Sequence, residues 1–366
     1  MSPPPPDPER LARLALWSIR GLSARTIDAA VAAYGSALDA CRAPRDDLAT
    51  ALDLGAGTRG RLLASPEDLV SLGAALEAQV AARGGAFVLR GEAGYPRLGG
   101  LVDPPEALWV RGSLAGAGGD AGGGLPPAVA VVGARKADPG AIHLARRFGA
   151  TLVAAGFTVV SGGALGVDAA AHGGAVEAGG ETVAVLGSGV LRPLPARNRR
   201  LFGRMLAGRG GLVSELPPLE GARAEHFPRR NRLVAALSCA VVVVRAAEGS
   251  GSLYTARAAR ALGRPVFVVP AAELGAASAG GEALLADGAL PVRSGEDLLA
   301  ALRGETAPAA APLDPILAAL GVVPASVVEV AHATTLDPTE VAKRLAELCA
   351  EGVVRPAGAG RFMRRA

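Results

Sequence analysis

Two five-residue runs, Ala128-Val129-Ala130-Val131-Val132 and Ala240-Val241-Val242-Val243-Val244, constrain the fold of this chain more than any other feature. Each is apolar at every position and rich in β-branched valine, so neither face of such a strand can be left in water. A strand buried on both faces belongs inside a sheet covered by helices on both sides. The pattern repeats along the chain. Residues 157–160, 182–186, 211–214 and 265–269 read as further strands, and residues 143–154 and 254–262 carry apolar side chains at helical spacing. This alternation predicts an α/β fold: a Rossmann-like, doubly wound, mostly parallel sheet that binds its ligands at the carboxyl ends of the strands.

Those ends carry the informative loops. Gly133-Ala134-Arg135-Lys136 follows Val132, and Ser161-Gly162-Gly163-Ala164-Leu165-Gly166-Val167-Asp168 follows Val160. Gly187-Ser188-Gly189 follows Leu186, and Gly249-Ser250-Gly251-Ser252 lies beyond Val244. Small residues at a strand-to-helix turn let backbone N–H groups approach an anion at the positive end of the helix dipole. Four such loops on one sheet edge predict a phosphate-binding ledge rather than a single pocket. The densest basic cluster is His226-Phe227-Pro228-Arg229-Arg230-Asn231-Arg232, leading into an apolar helix over 233–237. Arginine forks beside an aromatic ring suit a single-stranded backbone and its stacked bases. Asp168 is expected to cap or brace the serine turn. His172 shares its helix face four residues on, a spacing that permits an acid/base pair, but no nucleophile with its own base accompanies them.

Other chemistries fit less well. Ser161-x-Gly163-x-x-Gly166 has serine at the first glycine of the dinucleotide fingerprint, and Glu181 precedes the next strand instead of ending it, where it would reach a ribose. No GxxxxGK[ST] run is present. Cys41, Cys239 and Cys349 have no disulfide or zinc spacing, so neither a cofactor nor a metal is expected. The net charge of +4 and a pI near 9.3 leave a polyanion open as partner. Lys136 and Lys343 are the only lysines among 38 basic residues, a ratio that compositional bias explains. No apolar run is long enough to span a bilayer, and residues 1–6 lack the basic start and apolar core of a signal peptide. A cytoplasmic chain without membrane insertion is expected.

Four regions are expected. Residues 1–80 read as a helical, SAM or helix-hairpin-helix-like domain with helices over 8–19, 26–34 and 66–80. Its turn Ile19-Arg20-Gly21-Leu22-Ser23 is either phosphate-facing or an ordinary packing joint. Residues 81–303 form the extended Rossmann-like domain, opening with strands over 86–89 and 107–110 and a Gly/Ala-rich loop over 114–127. Residues 304–312 read as a linker. Residues 313–366 read as a winged-helix-like domain, with helices over 315–320, 326–332 and 338–350 and a hairpin over 352–355 and 360–365. Its third helix sets Lys343 and Arg344 against Glu340 and Glu347, which leaves DNA contact and protein contact both open.

An ordered series of motifs runs through the middle of the chain: Tyr95-Pro96; Pro105-x-x-Leu108-x-x-Arg111-Gly112; Val132-Gly133-Ala134-Arg135; Ser161-Gly162-Gly163-Ala164-x-Gly166-Val167-Asp168-x-x-x-His172; Leu186-Gly187-Ser188-Gly189; Ser214-Glu215-x-Pro217; Phe227-Pro228-x-Arg230-Asn231-Arg232; Ser250-Gly251-Ser252-Leu253-x-Thr255-Ala256; and Gly288-Ala289. Over roughly 87–290 the set resembles the DNA-processing protein A (DprA/Smf) family. The resemblance implies a non-enzymatic homodimer that binds incoming single-stranded DNA in natural transformation, protects it and loads the RecA recombinase. By motif position, the implied DNA-binding residues are Gly133, Arg135, Ser161, Gly162, Gly163, Phe227, Arg230, Asn231 and Arg232, with Lys136 a neighbour that the motif does not fix. Asp168, His172, Ser250, Gly251 and Ser252 are implied to order the loops, as is Asn231. Leu194 before Pro195, Ala271 after Pro270 and Glu282 depart from the tyrosine, glycine and asparagine of the family, all towards the far end of the ledge. The alternative is a nucleoside-monophosphate-hydrolysing or nucleotide-binding enzyme of a related Rossmann-like fold that recruits Glu215 or Asp168, for which no PGGxGTxxE-like signature is present.

Overall fold

The computed structural model describes residues 7–98, 100–114, 127–274, 278–304, 316, 320, 325–334, 336–350 and 354–364. Most of the expected 114–127 loop and nearly all of the 304–312 linker lie outside the described residues.

Six helices come first: α1 (Pro8–Ser18), α2 (Ala24–Tyr34), α3 (Ala37–Arg42), α4 (Arg45–Ala51), α5 (Ala56–Leu63) and α6 (Leu69–Ala81). The middle three span six to eight residues, too short to show a helical period in the sequence. α6 starts at Leu69 rather than at 66 because the Asp68 carboxylate accepts from the Ser71 amide and caps it there. These helices bury Leu14, Trp17, Ile27, Leu62 and Val80 against Phe87, Leu89, Ala107 and Trp109 of β1 (Gly85–Leu89) and β2 (Ala107–Gly112). The fully buried Glu106 carboxylate joins the two layers, accepting from Arg13 at 2.5 Å and Arg90 at 2.9 Å.

The chain then alternates as the valine runs demand: β3 (Ala128–Val132), α7 (Pro139–Ala154), β4 (Thr158–Ser161), α8 (Val167–Glu177), β5 (Thr182–Val185), α9 (Arg199–Ala207), β6 (Gly211–Ser214), α10 (His226–Ala236), β7 (Ala240–Val243), α11 (Gly251–Ala261) and β8 (Val266–Val268). After these come α12 (Ala271–Leu274), α13 (Ala279–Ala286), the short edge strand β9 (Leu290–Pro291) and α14 (Gly295–Leu302). One nine-stranded sheet results, in the order β1-β2-β6-β5-β4-β3-β7-β8-β9. It is parallel from β6 to β9, with β1 and β2 added antiparallel. Alternate residues of the central strands face opposite layers. Val129, Val131, Val159 and Val242 pack against Phe148, Leu152 and Ala171 of α7 and α8, while Ala130, Val160, Val241 and Val243 meet Leu233, Val234 and Ala256 of α10 and α11.

The strand order reverses between β3 and β7. From β3 the chain moves outward through β4, β5 and β6, then returns to place β7 on the other side of β3. The helices leaving β3 and β7 lie on opposite faces, which opens a crevice above the carboxyl ends at this switch point. An ion pair between Asp138, after β3, and Arg245, after β7, spans its base.

Beyond the sheet lie β10 (Ala325–Ser326), α15 (Val327–Thr334), α16 (Pro338–Ala350), β11 (Val354–Pro356) and β12 (Arg361–Arg364). The strands pair antiparallel in the order β10-β12-β11, over a small core that includes Val330, Val341, Leu345 and Val354. Ser326, expected in a helix, instead pairs its backbone with Arg361. Of the helix expected over 315–320, only Ile316 and Leu320 are described, both buried. No helix among the described residues is long and apolar enough to cross a membrane.

Candidate nucleic-acid interface

The four small-residue loops stand together at the carboxyl edge of β3, β4, β5 and β7, and backbone contacts tie neighbouring loops to one another. Val167 N donates to Ala134 O at 3.2 Å, joining the loop after β4 to the loop after β3. Gly166 makes this approach possible, since its φ is +79° and a Cβ there would come within 2.7 Å of the Arg135 carbonyl oxygen.

Asp168 occupies the centre of the serine turn. Its Oδ2 accepts from the amides of Gly162 at 3.1 Å and Ala164 at 3.2 Å. These are amides that an incoming phosphate would use, so an internal carboxylate already fills the anion position of this turn. Burial pushes the Asp168 carboxyl above the usual carboxylate range, while the Arg230 charge and the two amides pull the other way. The Ser161 hydroxyl is fully buried and donates to Val131 O at 2.6 Å, so it faces the sheet and not the surface. Asn198, just before α9, closes the turn from the other side, donating from Nδ2 to Gly163 O at 2.9 Å and Ala164 O at 3.1 Å. Sequence reasoning did not single out Asn198 as a loop-ordering residue. Its signal was the Pro195-Ala196-Arg197-Asn198 segment, which in the sequence stands out only for the departure at Leu194.

The basic cluster is not a turn leading into a helix. α10 starts at His226, and Pro228 sits at its third position, where its missing N–H has no intrahelical partner to lose. As a result the arginines point in different directions. The buried Arg230 guanidinium lies against Gly162 and donates from Nη1 to the Val185 carbonyl, while its Nε has no partner. Burial lowers its pKa to about 10, with the Asp168 charge opposing that shift and Arg135 adding to it. Arg232 turns towards the helical layer, donating to Glu215 Oε2 at 2.5 Å and Asp103 O at 2.9 Å. Arg229 also reaches Glu215, at 3.4 Å. The Glu215 backbone carbonyl in turn accepts from Trp17 Nε1 at 3.0 Å, which docks α1 beside α10. Asn231 donates to Gly251 O at 3.0 Å and holds the start of α11, where the Ser250 and Ser252 hydroxyls are 2.9 Å apart.

His172 stands apart from this group. It is fully buried, and its Nδ1 lies 2.7 Å from the Thr182 hydroxyl, which donates to Val159 O at 2.8 Å. It fastens α8 to β4 and β5 and makes no pair with Asp168, because its ring turns towards the sheet.

Arg135 and Lys136, after β3, are exposed cations of the ledge. Neither has an ion-pair partner among the described residues. The Arg135 guanidinium lies 4.9 Å from the centre of the Phe227 ring, and that ring covers Gly187, where a Cβ would come within 3.1 Å of it. Gly133 lies at the foot of the same group, against Val167. Gly162, Gly187, Phe227, Arg135 and Arg230 therefore converge above β3, β4 and β5. The arrangement offers two exposed cations beside a half-buried aromatic, which suits a backbone phosphate and a stacked base.

Known proteins are similar to this chain over the segment that forms the sheet. The family described as DNA recombination-mediator protein A matches residues 86–303. Protein Smf of Escherichia coli (strain K12) is 39% identical over 204 residues, covering 56% of this chain and 53% of its own length. A DNA processing protein DprA of Mycobacterium tuberculosis (strain ATCC 25618 / H37Rv), there called putative, is 45% identical over 174 residues, 48% of this chain and 44% of its own. This chain thus spans about half the length of these relatives. The solved structure of DprA from Streptococcus pneumoniae superposes with a TM-score of 0.64 at 28% identity, covering 81% of this chain and 98% of that one. A DprA structure from Helicobacter pylori, described for its single-stranded DNA binding mode, gives 0.53 at 27% identity over 60% of this chain and 96% of that one. With its matched segment running from the first strand of the sheet to the helix after the last, this chain belongs to the DNA recombination-mediator protein A family.

Proposed function

We propose that this chain binds single-stranded DNA along the carboxyl edge of its sheet and acts, as a homodimer, as a recombination mediator in natural transformation. In that role it shields the incoming strand and hands it to the RecA recombinase. The observation that carries the reading is the Arg135 guanidinium over the Phe227 ring, with exposed Lys136 next to it in the chain and the ring lying on the Gly187 backbone. Binding is favoured over catalysis because the acidic candidates are already engaged, Asp168 by loop amides and Glu215 by arginines. The family membership and the named binding mode of the Helicobacter pylori protein support the same reading. We assign the strand to residues 81–303, with the helical 1–80 domain, the 304–312 linker and the winged-helix-like 313–366 unit as accessory parts.

The test is fluorescence anisotropy with labelled oligothymidylate against a duplex, at several salt concentrations and with or without RecA. Wild type should prefer the strand. The Arg135→Ala/Lys136→Ala variant should bind it more weakly, with a salt slope shallower by about 1.4, or about 0.7 for each single-strand phosphate that is no longer neutralised. Equal affinity for strand and duplex, or an unchanged slope in the double variant, would overturn the reading.

A further inference from the structure

Arg135 and Lys136 belong to only one lip of the switch-point crevice. The opposite lip is the loop after β7 and the first turns of α11. Its backbone is fixed by the Asn231 bond to Gly251 O, and Ser252, Thr255 and Ala256 are buried beneath it. Tyr254 does the opposite and is 48% exposed. The chain has few aromatics, and Trp17, Trp109, Phe87, Phe148, Phe202 and Phe267 are all buried, whereas Tyr254 is the most exposed ring among the described residues. No hydrogen bond to a described residue accounts for the Tyr254 hydroxyl. One turn along the same helix face lies Arg257, also exposed, its guanidinium 5.7 Å from the Tyr254 ring centre and without an ion pair among the described residues.

An exposed ring with a free guanidinium at the rim of a nucleic-acid crevice has the composition already present at Phe227 and Arg135. We propose that Tyr254 and Arg257 form a second stacking station, which takes an unpaired nucleobase on the tyrosine ring and a neighbouring phosphate on the arginine. The guanidinium steadies the ring through the cation–π contact and keeps its charge at the surface. Polar serines and the part-buried Asn231 bond hold the α11 start in place, so the ring is presented on a rigid element. The motif Ser250-Gly251-Ser252-Leu253-x-Thr255-Ala256 fixes the neighbours of Tyr254 and leaves its own position open. The inference rests on the single-strand reading above and adds the second lip of the crevice to the strand's path.

The experiment compares wild type with Tyr254→Ala and Tyr254→Phe, using oligothymidylate and the same oligonucleotide with abasic sites. Tyr254→Ala should weaken oligothymidylate binding by at least about fivefold, Tyr254→Phe should retain it, and the abasic strand should not distinguish the three. Tyr254→Trp supplies a second readout. The native tryptophans are buried, so quenching of its emission by oligothymidylate would report a base on the new ring. If Tyr254→Ala binds like wild type, or Tyr254→Trp is not quenched, while wild type still prefers the strand, the station is refuted and the single-strand reading stands. If wild type shows no strand preference, both fall.

Discussion

Acidification of His172 gives a prediction whose size follows from the structure. Thr182 donates its hydroxyl proton to Val159 O, so it can only accept from His172, and the ring must carry its proton on Nδ1. Nε2 is left buried and without a partner. A second proton would place an unsolvated cation there, with the Arg230 charge opposing it. Burial, with Arg230 adding to it, accordingly lowers the His172 pKa from 6.5 to about 3. The sign follows by linkage. Between these values the unfolded chain binds the proton and the native chain does not, so this residue costs stability as pH falls through 6.5 and costs nothing above it. Integrating across the shift gives a loss of about 2 kcal/mol at pH 5 and about 3 kcal/mol at pH 4, relative to pH 7. Other groups titrate in the same range, so the measurement is a difference between wild type and His172→Asn, whose amide can still donate to Thr182. Urea unfolding followed by circular dichroism across that pH range should show wild type losing stability more steeply, by up to about 1.4 kcal/mol per pH unit. At pH 7 the two should bind oligothymidylate equally, because His172 does not face the ledge. Parallel pH profiles would refute the assignment of a neutral, Nδ1-protonated histidine.

Two further perturbations probe the turn itself. Asp168→Asn replaces charged acceptors by neutral ones at the Gly162 and Ala164 amides and removes the charge that compensates buried Arg230, so urea unfolding should show a loss of about 2–4 kcal/mol. Combining it with Arg230→Met should recover part of that loss, and strict additivity would sink the proposed coupling. Gly162→Ala would set a Cβ 2.6 Å from Arg230 Cζ, which is walled in by the sheet, and should cost about 1–3 kcal/mol as well as weaken strand binding. Gly251→Ala meets open space and serves as its control, and equal urea midpoints for the two would refute the steric argument.

Most of the central fold was legible in the chain because strands buried on both faces leave an unambiguous apolar signature, and the serine and glycine loops mark their carboxyl ends. The short helices α3 to α5 were not legible, since six to eight residues carry too little periodicity. The start of α10 was missed because Pro228 and three arginines imitate a solvated turn when read locally. At the site, Asp168 could be read as a loop brace from its place in the first helical turn. Asn198 could not, since its partners Gly163 and Ala164 lie 35 and 34 residues away.

The sequence by itself determined the parallel sheet and the edge at which ligands meet it, because valine runs and glycine turns act through local chemistry. Only the tertiary structure decided which cations are free to meet a polyanion. Arg230, Arg232 and Arg135 are the same residue type in similarly basic surroundings. The first is tied to a carbonyl 45 residues away and the second to a carboxylate 17 residues away and a carbonyl 129 residues away. Arg135 meets no such partner and is left above the Phe227 ring. A guanidinium takes the nearest acceptor it can reach, and which acceptor that is depends on the packing of distant segments rather than on the neighbours in the chain.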